Sequence, residues 1–230
     1  MINAIDPKDQ WFLSRWTKFT SSEIYKLLLA GTGGKVFGVG AMTYIKQKVL
    51  EMTTAMWERP ELEEVKSLRY GKMYEYPAYE AFVNETKNYS MEYMGTDNPM
   101  FLEYPDGLLK GESGGSPDIV NWSKSKKIDA GAEIKCPINP MYHYDRIFWK
   151  DQWDIKENYI LCYTQMQHLM MVSGADIWYF ISFDERQKNK SKQKKIIEVN
   201  PDKKFQDNLN VRIEMAVTEK YKEFDKFMNS

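Results

Sequence analysis

The chain has 230 residues, 43% hydrophobic and 28% charged, an ordinary balance for a globular protein with room for one good-sized core. A net charge of −1 gives no overall basic character, so any nucleic-acid footprint has to be local. Two cysteines and two histidines are too few for a disulfide framework, a Cys/His zinc site or an iron–sulfur cluster.

The first residues, "MINAIDPKDQW", lack a basic-then-apolar signal pattern, and no run reaches the ~18 apolar residues of a membrane span. A soluble, cytoplasmic protein is expected. "TSSEIYKLLLAG" predicts a helix: Thr20 and Glu23 have capping-box spacing, Ile24, Leu27 and Leu28 form its apolar face, and Gly31 stops it. The glycine-rich stretch Gly31–Gly40 is not a Walker A loop, because Lys35 is followed by Val36; a mobile loop is expected. A helix over 42–52 shows Met42, Ile45, Val49 and Met52 on one side. A longer helical pattern over 61–85 runs through Leu62, Val65 and Leu68 to Ala78, Ala81 and Phe82. Pro77 predicts a kink or a new start near Glu75.

The period then changes. "FLEYPDGLLKGESGGSPDIVNW" and "IDAGAEIKCP" are short, glycine-bounded and alternating, as antiparallel strands joined by an "SKSKK" turn would be. A helix over 159–172, the strands "DIWYFISFD" and "KIIEVN", and a closing helix over 201–228 complete the chain. The lysine tract 188–195 reads either as a local basic footprint or as a solvated loop between strands. No repeat or linker is visible, so one α/β domain over 1–230 is predicted, a mixed central β-sheet flanked by α-helices.

Within the strand "AEIKCP", Glu133 and Lys135 point to one face and Ile134 to the other, and Pro137 ends the strand. A hairpin would bring Asp118 of "SPDIV" close to Glu133. Two adjacent carboxylates are costly unless a positive charge sits between them, and Mg²⁺ suits one or two carboxylates with positions left for phosphate oxygens. With Lys135 to orient water or hold a phosphate oxygen, this outlines metal-assisted hydrolysis. The same pieces occur separately as ordinary strand and turn sequence. An acid/base hydrolase using Asp118 and Glu133 without metal is a rival reading. Serine-hydrolase chemistry is set aside for want of a nucleophile elbow.

"SPDIV … AEIKCP" resembles the PD-(D/E)-x-K nuclease motif, and in particular the phage lambda exonuclease family of YqaJ-like viral recombinase nucleases. "SRWTKFTSSEI", "RYGKMYEYPAYEAF", "YTQMQHLMMVSG" and "WYFISFD" fall in that family's order, so the resemblance covers about residues 11–184. It implies a restriction-endonuclease-like core, with Asp118, Glu133 and the Ile134 carbonyl as metal ligands and Lys135 as catalytic lysine. Glu75 and Gln165 would face the same cleft, whereas Gln167, about 200° round the helix from Gln165, is read as structural. Arg15, Ser22 and Ser116 would form a 5′-phosphate pocket, which Ser22's place in the first turn of the predicted helix also favours.

The resemblance further implies a Mg²⁺-dependent exonuclease, with Mn²⁺ able to substitute, that degrades one strand of linear duplex DNA 5′ to 3′ and leaves 3′ overhangs for phage-type recombination. A homotrimer, a single-strand annealing protein as partner, and a bacterial or phage-infected host cell come with it. Trp11 and the Gly31–Gly40 loop are candidates to touch DNA. The chain departs from the pattern in a longer gap between Asp118 and Glu133 and in Pro77 beside Glu75. An endonuclease, or a non-catalytic DNA-binding protein with the same fold, are the rival functions.

Overall fold

The structure, a computed structural model, describes residues 6–55, 65–95 and 98–230. Helix α1 (Pro7–Arg15) leads into β1 (Phe19–Thr20), a 3-10 turn over Ile24–Leu28, α2 (Val39–Thr53) and α3 (Lys66–Thr86). Strands β2 (Met91–Tyr93), β3 (Leu102–Glu103), β4 (Ser113–Gly115), β5 (Ile119–Trp122) and β6 (Ile128–Lys135) come next. Three helices, α4 (Pro140–Ile147), α5 (Gln152–Asn158) and α6 (Ile160–Ser173), precede β7 (Ile177–Phe183), β8 (Lys194–Val199) and α7 (Lys203–Met228).

The strands form two sheets, one ordered β1-β4-β3 and one ordered β2-β5-β6-β7-β8. In the larger sheet β5 and β6 are an antiparallel hairpin and β6 runs parallel to β7, so this is the mixed, helix-flanked sheet that the sequence predicts. The hairpin closes as "SKSKK" suggests. Ser123 N–H donates to the Lys127 carbonyl at 2.7 Å, and Lys126 takes a left-handed φ of 60°. Gly131 is required on β6, because a Cβ there would lie 2.3 Å from the fully buried Trp178 ring.

Helix α6 is apolar or buried almost all round because it packs against strands of both sheets as well as α5 and α7. Gln167 is structural, as its position on the helix predicts: its Nε2 donates to the Asn200 carbonyl at 3.0 Å, and its Oε1 accepts from Asp202 N–H at 2.9 Å.

Several expectations need correction. Thr20 is no helix cap. It lies on β1, parallel to β4, with its N–H donated to the Tyr44 hydroxyl, and the helical segment after Glu23 is only a five-residue 3-10 turn. Gly31 is not a left-handed stop; it and Gly38 are needed for space, a Cβ on Gly31 falling 2.6 Å from Lys35. The Gly31–Gly40 loop folds on itself through an Ala30–Phe37 bridge. Arg212 holds it, donating to the carbonyls of Leu27, Val36 and Leu29. Of the two readings of Pro77, a new helix start is excluded: α3 runs through it from Lys66 to Thr86.

Val65 and Leu68 are exposed rather than on a buried face, because the sheet is met only by the second half of α3, through Ala78, Phe82 and Val83. Leu62 lies outside the described residues. The tract 188–195 is a loop with a short 3-10 turn leading into β8, where Lys194 pairs with Glu85 at 3.0 Å. Helices α1, α4 and α5 have no counterpart in the sequence reading.

Candidate active site

The register of the β5–β6 hairpin sets Ile119 against Ala132; one step further it brings Asp118 opposite Glu133. Asp118 Oδ2 is fixed there by the Ile134 N–H at 2.7 Å. Two residues along β6, on the same face, Lys135 Nζ donates to Glu133 Oε1 at 2.5 Å and reaches Gln165 Oε1 of α6 at 3.5 Å. Asp118, Glu133, Lys135 and Gln165 therefore meet, as the strand period and the helix face require.

Glu133 is buried, 2% exposed, and its Oε2 has no hydrogen-bond partner. Burial, the Glu133 carboxylate and then Glu75 hold the Asp118 carboxyl well above the usual carboxylate range. Burial raises Glu133 as well, against the pull of Lys135. Burial also opposes the Lys135 ammonium, yet the acids around it, Glu133 foremost, keep its pKa well above the ordinary lysine value. Such a cluster crowds acids around one lysine and leaves one carboxylate oxygen, Glu133 Oε2, without a hydrogen-bond partner.

Glu75 stands one layer back. Its Oε2 accepts from the Tyr93 hydroxyl at 3.1 Å, and it acts on Asp118 and Glu133 through its charge alone. Among the described residues no three His, Cys, Asp or Glu side chains lie close enough to cage a metal. Two oxygen donors, an orphaned Glu133 oxygen and the nearby Ile134 carbonyl fit a hard cation that keeps most of its shell for water and phosphate, as Mg²⁺ does.

The second predicted group assembles in part. Ser116 Oγ accepts from Arg15 Nη1 at 3.1 Å and from the Trp11 indole at 2.8 Å, and the Arg15 guanidinium lies 4.3 Å from the Trp11 ring centroid. With both lone pairs occupied, the Ser116 hydroxyl keeps its hydrogen for an incoming acceptor. Ser22 is exposed just past the end of β1, as Ser116 is just past the end of the parallel β4. The strands sit close because Gly115 has no side chain; a Cβ there would meet Ser21 Oγ at 1.8 Å. Ser22 contributes a hydroxyl, 3.5 Å from Thr20 Oγ1, and not the free first-turn N–H of a full helix.

Two features escaped the sequence reading. Arg186 clamps the exit of β6, donating to the carbonyls of Pro137 and Ile138 while paired with the buried Asp184; the D-x-R spacing after a strand was a usable signal. Residues 111–115 do carry G-x-S-x-G spacing. Ser113, however, is fully buried on β4, bonded to the Phe19 carbonyl and the buried His168, with no strand-to-helix elbow and no opening to solvent.

A YqaJ-like viral recombinase domain matches residues 10–176. Among solved structures, an alkaline exonuclease (LHK-Exo) from Laribacter hongkongensis aligns with a TM-score of 0.73 at 19% identity, covering 96% of each chain. The same enzyme in complex with dAMP aligns equally well. A phage-related exonuclease from Haemophilus somnus 129PT aligns with a TM-score of 0.59 at 12% identity, covering 92% of this chain and 95% of that one. No curated protein matches the chain.

Proposed function

The chain belongs to the YqaJ-like viral recombinase domain family, and we propose that this nuclease is a Mg²⁺-dependent 5′-to-3′ exonuclease acting on linear double-stranded DNA. It removes one strand from each end and leaves 3′ single-stranded overhangs for phage-type homologous recombination. The observation that carries this reading is the Asp118–Glu133–Lys135 cluster, with a buried Glu133 that has one unpartnered oxygen, two residues along the chain from the Arg15–Ser116 pair. The exonucleases among the structural neighbours support the choice of an end-directed activity.

In this reading Asp118 and Glu133 hold the cation, with the Ile134 carbonyl beside them, and Mn²⁺ can replace Mg²⁺. When bound, the cation supplies charge stabilisation to the attacked phosphodiester and acidifies the attacking water. Lys135, protonated throughout the neutral range, holds a phosphate oxygen or orients water, and the Gln165 amide steadies its ammonium. Glu75 keeps the field negative without occupying the site. Arg15, Ser116 and Ser22 receive the terminal 5′-phosphate, Arg15 as a charged donor and the serines through their hydroxyls. A homotrimer around DNA, a single-strand annealing protein as partner and action in the cytoplasm of a bacterial or phage-infected cell belong to the same proposal. Among the described residues no helix is long and apolar enough to cross a membrane.

Digestion of an end-labelled linear duplex, with a covalently closed circle as companion substrate, tests the reading. Mononucleotides should appear from the 5′-ended strands only when Mg²⁺ is present, and the circle should survive. Cutting of the circle would establish an endonuclease instead, and undiminished activity in EDTA would point to the acid/base rival.

A further inference from the structure

Residues 185–195, which join β7 to β8, hold six cations and a single acid, Glu185. Arg186 pairs with Asp184 and Lys194 with Glu85. Lys188, Lys190 and Lys192 are exposed and, among the described residues, make no ion pair. The turn that carries them is braced. Asn189 Oδ1 accepts from the Ser191 N–H at 3.1 Å and from the Ser191 hydroxyl at 2.9 Å. Gln193 Nε2 donates to the carbonyls of Glu185 at 2.7 Å and Gln187 at 3.0 Å. Three ammonium groups held on one fixed turn repel one another, and a run of phosphates relieves them.

The same turn is tied to α4. His143 Nε2 meets the Lys192 carbonyl at 2.8 Å, and Arg186 donates to the carbonyls of Pro137 and Ile138 just ahead of the helix. Helix α4 turns His143 and Arg146 inward and leaves Met141, Tyr144 and Phe148, three and four residues apart, on its outer side. Tyr144 is 54% exposed and Phe148 64%, and their rings pair edge to face, centroids 5.2 Å apart at 69°. In such a pair the ring that offers its edge keeps its own faces open. Large apolar side chains exposed together mark a surface that is covered in use. Even with Glu185 and the exposed Asp145 of α4 counted against them, the three lysines leave this surface net positive.

Open ring faces next to unpaired lysines match one ligand chemistry, a nucleic-acid strand without its complement: phosphates for the lysines, base faces for the rings. A duplex offers the phosphates but keeps its bases inside the stack. An apolar protein partner would cover the rings and leave the lysines without anions. We infer that Lys188, Lys190 and Lys192 together with the Tyr144–Phe148 pair form a docking track for single-stranded DNA, built from residues outside both the Asp118 cluster and the Arg15 pocket. The inference rests on the nuclease reading for the source of that strand, the one that digestion leaves unpaired. Its test is therefore made on binding, separate from digestion.

The full-length protein is titrated, in EDTA so that nothing is cut, with fluorescent oligothymidylate and with a blunt duplex at several NaCl concentrations. Changing Lys188, Lys190 and Lys192 together to Gln should lower the oligothymidylate slope of log affinity against log salt by about two, at roughly 0.7 per phosphate contact. Phe148→Ala should weaken oligothymidylate roughly tenfold, the scale of one lost base stack, with its salt slope kept and duplex binding unchanged. An abasic strand should erase the Phe148→Ala effect, which a mere loosening of α4 would not do. Tyr144→Ala repeats the measurement if Phe148→Ala lowers Tm; all the altered side chains are exposed. Wild-type affinity and slope in the folded variants would overturn the proposal and leave the rings to a protein partner. Failure of the wild type to bind oligothymidylate would overturn it too. Digestion of linear duplex with Mg²⁺ judges the nuclease reading by itself, whatever the oligothymidylate does.

Discussion

The Asp118–Glu133–Lys135 cluster and the Arg15–Ser116 pair lie two residues apart in the chain and are built on opposite electrostatic plans. On the hairpin side, a buried carboxylate faces a half-buried one, one oxygen is left without a partner, and a single lysine offsets part of the charge. On the other side, a serine hydroxyl accepts two donors at ordinary distances on a partly exposed surface. The first arrangement is one that a cation, as proposed, would relieve; the second is already satisfied and has a hydrogen left to give. Sites for chemistry and sites for grip differ in this way because only the former need charge concentrated before the substrate binds.

The largest effect should come from easing that crowding of charge. Asp118→Asn keeps an oxygen for the Ile134 N–H but removes a charge that burial and Glu133 already disfavour at pH 7. Nuclease activity should fall by roughly 10²–10³-fold or more, the scale of losing one preorganised charge-stabilising group. Tm should rise by about 2–4 °C, the shift that about 1 kcal/mol makes in a domain of this size. An inactive variant with a lower Tm would show that the acids are not in conflict, and the contrast between the two regions would break.

Arg15→Ala probes the gripping side. It should leave stability nearly unchanged while abolishing a preference for 5′-phosphoryl over 5′-hydroxyl duplex ends. That preference should be about 10- to 100-fold in the wild type, from the roughly 1.5–3 kcal/mol of a charge-assisted hydrogen bond. Equal rates on both ends in the wild type would remove the phosphate from this pocket.

The smallest effect concerns the support that holds β1 and β4 beneath the pocket. His168 of α6 bonds Ser21 and Ser113, and burial lowers its pKa to about 3. Between about pH 6.5 and 3 the unfolded chain binds a proton that the folded one refuses, so stability falls as the pH drops through that window, by up to about 1.4 kcal/mol per pH unit. Denaturant unfolding at pH 7 and pH 5.5 should show His168→Gln losing less than the wild type over that interval.

Glu133, Lys135 and their partner Asp118 were legible because a two-residue period and a hairpin turn fix their faces with no help from distant parts of the chain. The separation of Gln165 from Gln167 came equally simply from helix geometry. Thr20 misled because its capping signal is local, while the pairing that overrides it comes from Gly114, far along the sequence. The smaller sheet was hard to see since strands of two or three residues are too short to display a period. Arg146 was invisible for a different reason. A lone arginine among charged neighbours reads as surface, and only packing reveals it enclosed by rings.

The passage from the small sheet to the large one is a single tripeptide, Ser116–Pro117–Asp118. Its outer α-carbons can be no more than about 7 Å apart, and the proline ring stiffens the span. If a strand terminus docks at the serine as proposed, the linkage next to it is the one brought over the acids, and covalent geometry would then set a stride of one nucleotide.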